Sequence, residues 1–391
     1  MITADIRKVP RQFLPEDFTV TNWENLEPYF KELLERPLNT QQELEHWLKD
    51  MSELEAVVSE DACWRQIRMT CDTENKELEQ AFVYFVTEIQ PKIQPYADRL
   101  NRKLVEHPLT TGLDHGQYFT YLRSVKKNIE LFREENIPLQ AELGVLQQHY
   151  GVIAGKMTVE VNGKEYTLQQ AAKFLENPDR NLREQVYRKI NERRLQDKGA
   201  LNELFTTLIH KRNQVAVNAG FVNYRDYKFK ELGRFDYTKE DCYQFHQAVK
   251  QHVLPLVNRI NEKKKSKLGI DTLRPWDLEA EPAGITPLNP FKNGTELLEK
   301  SIRCFEETHP FFAACLRKMN QMDRLDLDSR KGKAPGGYNC PLAETGAPFI
   351  FMNAAGQMSD VTTMVHEGGH AVHSFLAHPL ELLYGDRKSV V

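Results

Sequence analysis

The chain has 391 residues, 40% hydrophobic and 28% charged, with 52 Lys and Arg against 56 Asp and Glu for a net charge of −4. Such a balance belongs to a folded globular protein rather than a disordered one, the length suggests two to three domains, and without a basic excess no nucleic-acid partner is expected. The longest apolar runs, such as residues 81–86, fall far below the roughly 18 residues of a membrane span, so no membrane partner is expected either.

Residues 1–8 carry an early acid, Asp5, and no apolar stretch of roughly 7–15 residues follows, which predicts no secretory signal and a cytoplasmic location. From about residue 17 to 142 the pattern is helical: Leu33, Leu34, Leu44, Trp47, Leu48, Met51 and Leu54 recur at three- and four-residue steps with charges between them. Around 158–161 and 164–167 the apolar period falls towards two, and Asn162-Gly163 between the arms predicts a type I′ hairpin. Asp179, after Asn177-Pro178, is a candidate cap for a charged helix running through Val186, Tyr187 and Ile190. The lysine cluster at 263–267 lies just before Gly269, where cations suit a helix C-terminus, and reads as a solvated face. Frequent prolines predict a loop or short extended pieces over 271–290, and Asn293-Gly294-Thr295, although it fits a glycosylation sequon, is expected to be a turn. The six cysteines are scattered without a C-x-x-C pair and read as reduced, mostly buried thiols.

One constellation stands above the rest: His366-Glu367-Gly368-Gly369-His370, an H-E-x-x-H pattern. Asp360 can cap a helix whose apolar positions Val361, Met364, Val365, Val372, Phe375 and Leu376 follow helical spacing, which puts the pattern inside that helix. One turn apart on one face, the imidazoles of His366 and His370 can both reach a single Zn2+ ion at about 2.0–2.1 Å. Glu367 beside them can take a proton from a zinc-bound water, so it is the candidate catalytic residue, and His366 and His370 are the candidate metal ligands. Each glycine costs a helix interior about 1 kcal/mol relative to Ala. Gly368 and Gly369 therefore read as room for close approach of another backbone, such as a substrate strand. His373 shares the face and reads as an outer or hydrogen-bonded supporting residue. With His373 and Leu376 where the metzincin pattern needs Gly and His, that class is excluded, and a third ligand must come from elsewhere.

The segment from His366 to His373 resembles the H-E-x-G-H-x-x-H helix of the thimet oligopeptidase and oligoendopeptidase F group of zinc metallopeptidases. Residues 268–278 are similar to that group's L-G-x-x-x-L-x-x-x-D-L segment, and residues 328–338 followed by 348–353 to its glycine-rich loop and the strand beside its active site. The resemblance implies a mainly α, two-lobed metallopeptidase with a small β element beside the active-site helix, one zinc ion per chain, and a deep channel that admits short peptides as substrates. The expected division is an N-terminal helical lobe over 1–195, with the small hairpin near 158–168, and an incomplete catalytic domain over 196–391. Gly336-Gly337-Tyr338 is either a surface turn or a loop that touches substrate, and residues 349–352 read as an edge strand able to align a peptide by backbone pairing.

The same resemblance implies a third ligand, a glutamate roughly 25 residues beyond the second histidine, and later Tyr and His residues that stabilise the oxyanion. Val391 lies only 21 residues after His370, and residues 378–391 do not resemble the family continuation, so the sequence looks like the first two-thirds of such a peptidase. Glu381 and Asp386, the nearby carboxylates after the pattern, read as solvated charges in a frayed tail, and Phe375 and Leu376 are expected to be left uncovered. The leading reading is a zinc-dependent oligopeptidase that hydrolyses short peptides by a Glu367-activated water. The alternatives are an inactive fragment that at most binds peptides, and a helical scaffold with an accidental pattern; a chain lacking the third ligand is expected to hold zinc weakly and to turn over poorly.

Overall fold

The computed structural model describes residues 4, 10–282 and 284–378. The first half is a succession of helices, α1 (Trp23–Glu35), α2 (Gln41–Cys71), α3 (Lys76–Tyr84), α4 (Gln90–Glu106), α5 (His115–Leu131) and α6 (Asn136–Gly155). Capping chemistry sets their starts. Thr40 accepts a hydrogen bond from the Glu43 N–H at 3.2 Å while the Glu43 carboxylate takes the Thr40 N–H at the same distance, a reciprocal pair that opens α2. The apolar stripes read from the sequence then meet in one cluster, in which Leu33, Leu44, Trp47 and Leu48 are fully buried. There the Trp47 indole N–H donates to the Leu33 carbonyl at 2.8 Å, so the largest core side chain leaves no polar atom unpaired.

After α6 comes the hairpin of β1 (Thr158–Val161) and β2 (Lys164–Thr167), antiparallel with Val161 opposite Lys164. Asn162 and Gly163 between them have φ of +53° and +76°, the two left-handed residues of a type I′ turn. Helices α7 (Leu168–Ala172), α8 (Arg180–Gln196), α9 (Lys198–Asn218), α10 (Tyr224–Glu231), α11 (Lys239–Ala248) and α12 (Leu254–Leu268) follow. Asp179 caps α8 through the Asn181 and Leu182 N–H groups, as expected, and Gly269 ends α12 at φ +64°. Two apolar clusters straddle residue 195, one joining Leu131 and Leu143 to Val215 and Tyr227, the other joining Met157 and Val161 to Val186 and Ile190 with Leu201 against it.

The last part holds α13 (Gly294–Thr308), α14 (Pro310–Gln321), β3 (Leu325–Asp328), β4 (Tyr338–Cys340), β5 (Phe349–Ala354) and α15 (Met358–Ala377). The strand order is β3-β5-β4, with β3 parallel and β4 antiparallel to β5. This gives the mainly helical fold with a small β element beside α15 that the sequence suggested. Two local expectations change. Residues 349–352 belong to the central strand, buried on both faces and paired on both sides, so β4 rather than β5 is the edge on that side. Asn293 is not in a turn: its side chain accepts from the Glu296 N–H at 3.0 Å and starts α13, because Asn in extended conformation satisfies an otherwise free first-turn donor. None of the described helices is long and apolar enough to cross a membrane.

One buried charge anchors the irregular stretch at 271–290 to α8. Asp277, the acid of the L-G-x-x-x-L-x-x-x-D-L segment, has a side chain 0% exposed and takes hydrogen bonds from Arg180 at 3.0 and 2.8 Å, Arg183 at 2.8 Å and the Arg274 N–H at 2.9 Å. Burial pushes this carboxyl up, but Arg180 and Arg183 outweigh it and bring the group from its ordinary 3.8 down to about 2. A carboxyl depressed on folding contributes stability that is complete above its unfolded value and lost as pH falls through its folded value. Acid unfolding followed by circular dichroism is therefore expected to weaken the wild type between about pH 4 and pH 2. Asp277→Ala should lose about 3 kcal/mol at neutral pH, because two guanidinium groups lose their buried partner, and should show a shallower loss over that window.

Candidate active site

Helix α15 must bury one face and open the other, and its sequence divides accordingly. Met364, Gly368, Ala371, Val372 and Phe375 are buried against β5, α13 and α14, whereas Val365, His366, Gly369, His373 and Leu376 are exposed and His370 is half-buried. Phe375 is thus covered, at 5% exposed, contrary to the expectation from sequence, because α13 and α14 supply its apolar neighbours; Leu376 is open at 57%. The helix begins at Met358, not after Asp360. Asp360 sits in the first turn, where its carboxylate accepts from the Ala355 and Gln357 N–H groups at 2.8 and 2.9 Å. It still fixes the helix start, from three residues further in.

The spacing of four brings His366 and His370 together as the helical period requires. Their Nε2 atoms stand 3.1 Å apart, with ring centroids at 4.7 Å and ring planes at 87°. Two nitrogens each about 2.0–2.1 Å from one zinc ion would be separated by roughly 3.0–3.4 Å, so the pair fits a shared metal. Glu367, 8% exposed, lies close enough to both histidines for their charges to act on its carboxyl. Burial raises that carboxyl above its ordinary value, while His366, His370 and the Asn339 backbone N–H pull the other way. His373 lies on the open face with the pair. Among the described residues no group of three or more His, Cys, Asp and Glu side chains is arranged to hold a metal, and Glu381, Asp386 and the third ligand implied beyond Val391 fall outside them.

Strand β4 flanks this helix. The Asn339 side-chain amide donates to the Glu367 carbonyl at 3.2 Å, and its Oδ1 is buried with no partner among the described residues. Sequence reasoning did not single out Asn339, and no local pattern marks it, since the contact joins two elements 28 residues apart. The glycine-rich loop leads into β4 and is stitched to the N-terminal helices. Gly332 N–H donates to the Gly155 carbonyl at 3.1 Å and Ala334 N–H to the Thr70 carbonyl at 2.9 Å, while the Gly332 carbonyl accepts the Thr73 hydroxyl at 2.7 Å. Gly155 is required there, because a Cβ on it would lie 2.8 Å from the Lys333 carbonyl. Lys333, its side chain 0% exposed, donates to the Asp326 carboxylate at 2.8 Å and to the Asp326 and Asp328 carbonyls at 3.0 Å. Asn353 braces the loop from β5 by donating to the Ala334 and Gly336 carbonyls at 2.8 and 2.9 Å. Gly337 passes 3.4 Å, measured from an added Cβ, from both the Phe351 carbonyl and the Thr363 methyl of α15.

The family model described as peptidase family M3 matches residues 173–381, and the peptidase M3 N-terminal domain model matches residues 13–132. The oligoendopeptidase F homolog of Lactococcus lactis subsp. lactis (strain IL1403) is 28% identical over 141 residues, which are 36% of this chain and 23% of that protein. Oligopeptidase PepF of Bacillus subtilis (strain 168) is 24% identical over 217 residues, 55% of this chain and 31% of that protein. The solved structure of PZ peptidase A with an inhibitor superposes with a TM-score of 0.87 at 24% identity, covering 92% of this chain and 64% of that one, a likeness of fold. The chain thus spans about a quarter to a third of these curated relatives in the matched stretches, and under two-thirds of the solved chain.

The two glycines of the pattern have different surroundings. A Cβ on Gly368 would lie 2.8 Å from two ring atoms of Phe305, so its space is filled by a core side chain rather than a substrate strand, whereas one on Gly369 would meet nothing within 4 Å. Gly368→Ala is expected to lower stability by about 1–3 kcal/mol in denaturant unfolding, the crowding outweighing the gain in helix propensity. Gly369→Ala is expected to leave stability unchanged or raise it by up to about 1 kcal/mol.

Proposed function

This chain belongs to peptidase family M3, and on that premise we propose that it carries the two histidine ligands and the general base of a zinc-dependent oligopeptidase acting on short peptides. The observation that carries the reading is the 3.1 Å convergence of His366 and His370 Nε2 on the open face of α15 beside the buried Glu367. His366 and His370 would hold the ion through Nε2, with one zinc per chain. When bound, zinc supplies Lewis-acid polarisation of the scissile carbonyl and makes a water acidic enough to deprotonate near neutral pH.

The chain's own groups do the rest. Glu367 accepts the proton of the attacking water and then passes it to the leaving amine, two transfers by one carboxylate whose raised proton affinity suits a base working near neutral pH. Strand β4 presents an outer edge that pairs with no further strand among the described residues, so a peptide in extended conformation could add to the sheet there by main-chain hydrogen bonds. The contact between Asn339 and the Glu367 carbonyl sets that edge against the motif helix, which would hold the peptide beside the base. Gly369, with open space where its Cβ would be, leaves the face next to the histidines clear. A cytoplasmic location belongs to the same proposal.

Zinc analysis after gel filtration, with a quenched short-peptide assay run with and without chelator, tests the reading. His366→Ala and His370→Ala are expected to lower zinc retention at least tenfold. Glu367→Gln is expected to keep the zinc and lose roughly 10²–10⁴-fold in peptide turnover, because an amide cannot take the water proton. Zinc binding left unchanged by His366→Ala and His370→Ala, or a Glu367→Gln variant with unchanged turnover, overturns it.

A further inference from the structure

Two of the six cysteines meet across the molecule. Cys63 lies on α2 and Cys340 ends β4, 277 positions later, yet the Cys63 Sγ is 3.7 Å from the carbonyl of Pro341, the residue that follows Cys340. Both pack on one apolar cluster of Ile67, Ala334, Leu342, Phe349 and Phe351 and both are only half-buried, within reach of a small solute. The frame around them is held on the far side too. Glu60, one turn before Cys63, accepts the Glu344 and Thr345 N–H groups at 2.9 and 2.8 Å and the Thr345 hydroxyl at 2.9 Å. A braced helix and a braced strand thus hold the two thiols on one cluster, and a disulfide between them requires the sulfurs to close to roughly 2.0 Å.

We propose that Cys63 and Cys340 are a redox modification site, closing to a disulfide in the presence of a peroxide and reopening with a dithiol reductant. The thiolate of Cys63 attacks one peroxide oxygen, breaking the O–O bond; the other oxygen leaves as water, taking one proton, and a sulfenic acid remains on Cys63. The Cys340 sulfur then forms the S–S bond and displaces the sulfenic oxygen as a second water. Two electrons and two protons pass from the thiols to hydrogen peroxide. The order of the steps follows from the two environments: the neighbouring Cys340 holds the Cys63 thiol below its ordinary value, while Cys63 and burial push Cys340 up. Cys71 packs on the same cluster, and Cys315 lies buried in another. Burial pushes Cys71 and Cys315 up to about 12, and both are poor nucleophiles. The cross-link joins the stretch matched by the N-terminal domain model to the stretch matched by the family M3 model, and its formation does not depend on the zinc chemistry.

The folded chain treated with about one equivalent of hydrogen peroxide, then denatured and titrated with Ellman's reagent, is expected to fall from six thiols to four. Non-reducing tryptic mapping should find the Cys63 and Cys340 peptides joined, about 2 Da lighter than their sum and separated again by dithiothreitol. Cys304→Ser, which removes an exposed thiol outside the pair, should give the same joined peptides, and Cys63→Ser and Cys340→Ser should not. Retention of all six thiols by the wild type, or joining of any other pair in place of this one, overturns the proposal; wild-type mapping decides it even where a pair variant fails to fold.

Discussion

Lys333 brings a positive charge into a place without water, and the loop beside the candidate site is arranged around it. An ammonium group has three donors and no acceptors, and a buried one must satisfy all three. Here the partners are the Asp326 carboxylate and the carbonyls of Asp326 and Asp328, while the ammonium also lies 4.5 Å from the centre of the Phe351 ring. Phe351 stacks on Tyr338 at 4.7 Å with planes 5° apart, and the Tyr338 hydroxyl reaches Thr70 of α2 at 2.7 Å. One cation thus positions the loop, the first residue of β4 and the contact with the N-terminal helices. Asp326 answers it electrostatically: burial pushes its carboxyl up, and Arg330 and Lys333 more than reverse this, to about 2.

Helix α15 solves a related problem, how to hold polar ligands open on an element that needs a buried face. Placing His366, Gly369, His370 and His373 at steps of three and four gathers these positions on one side, and Met364, Gly368, Ala371, Val372 and Phe375 pack against β5, α13 and α14. Glu367 falls between the two faces and is therefore buried yet close to the histidines. Its environment follows from its place in the helical repeat.

Local patterns were readable in the sequence, and contacts between distant elements were not. The Asn162-Gly163 turn, the Asp179 cap, the Gly269 stop and the His366–His370 pairing each depend on neighbours within about one turn, and the residues that decide them are adjacent in the chain. Sheet order is different in kind. That residues 349–352 are central rather than at an edge depends on where 325–328 and 338–340 go, which no window of the sequence contains. The same holds for Gly368, whose space is taken by Phe305 of α13, and for Asn339. Asp360 was recognised as a helix-start residue but placed at the cap, because the extended residue before the helix is Gln357, a type that rarely signals a start.

The stitching of the glycine-rich loop onto α2 also governs how the molecule is made. Thr73 and Gly332 are 259 residues apart, so at about 5–20 residues per second a ribosome delivers the second some 10–50 seconds after the first. During that interval Ile67, later covered by Ala334, Phe349 and Phe351, has no cover from them, and neither does the neighbouring Trp64. This face of α2 is thus a nascent-chain liability for much of translation, and a chaperone that shields apolar helix faces would find a target there.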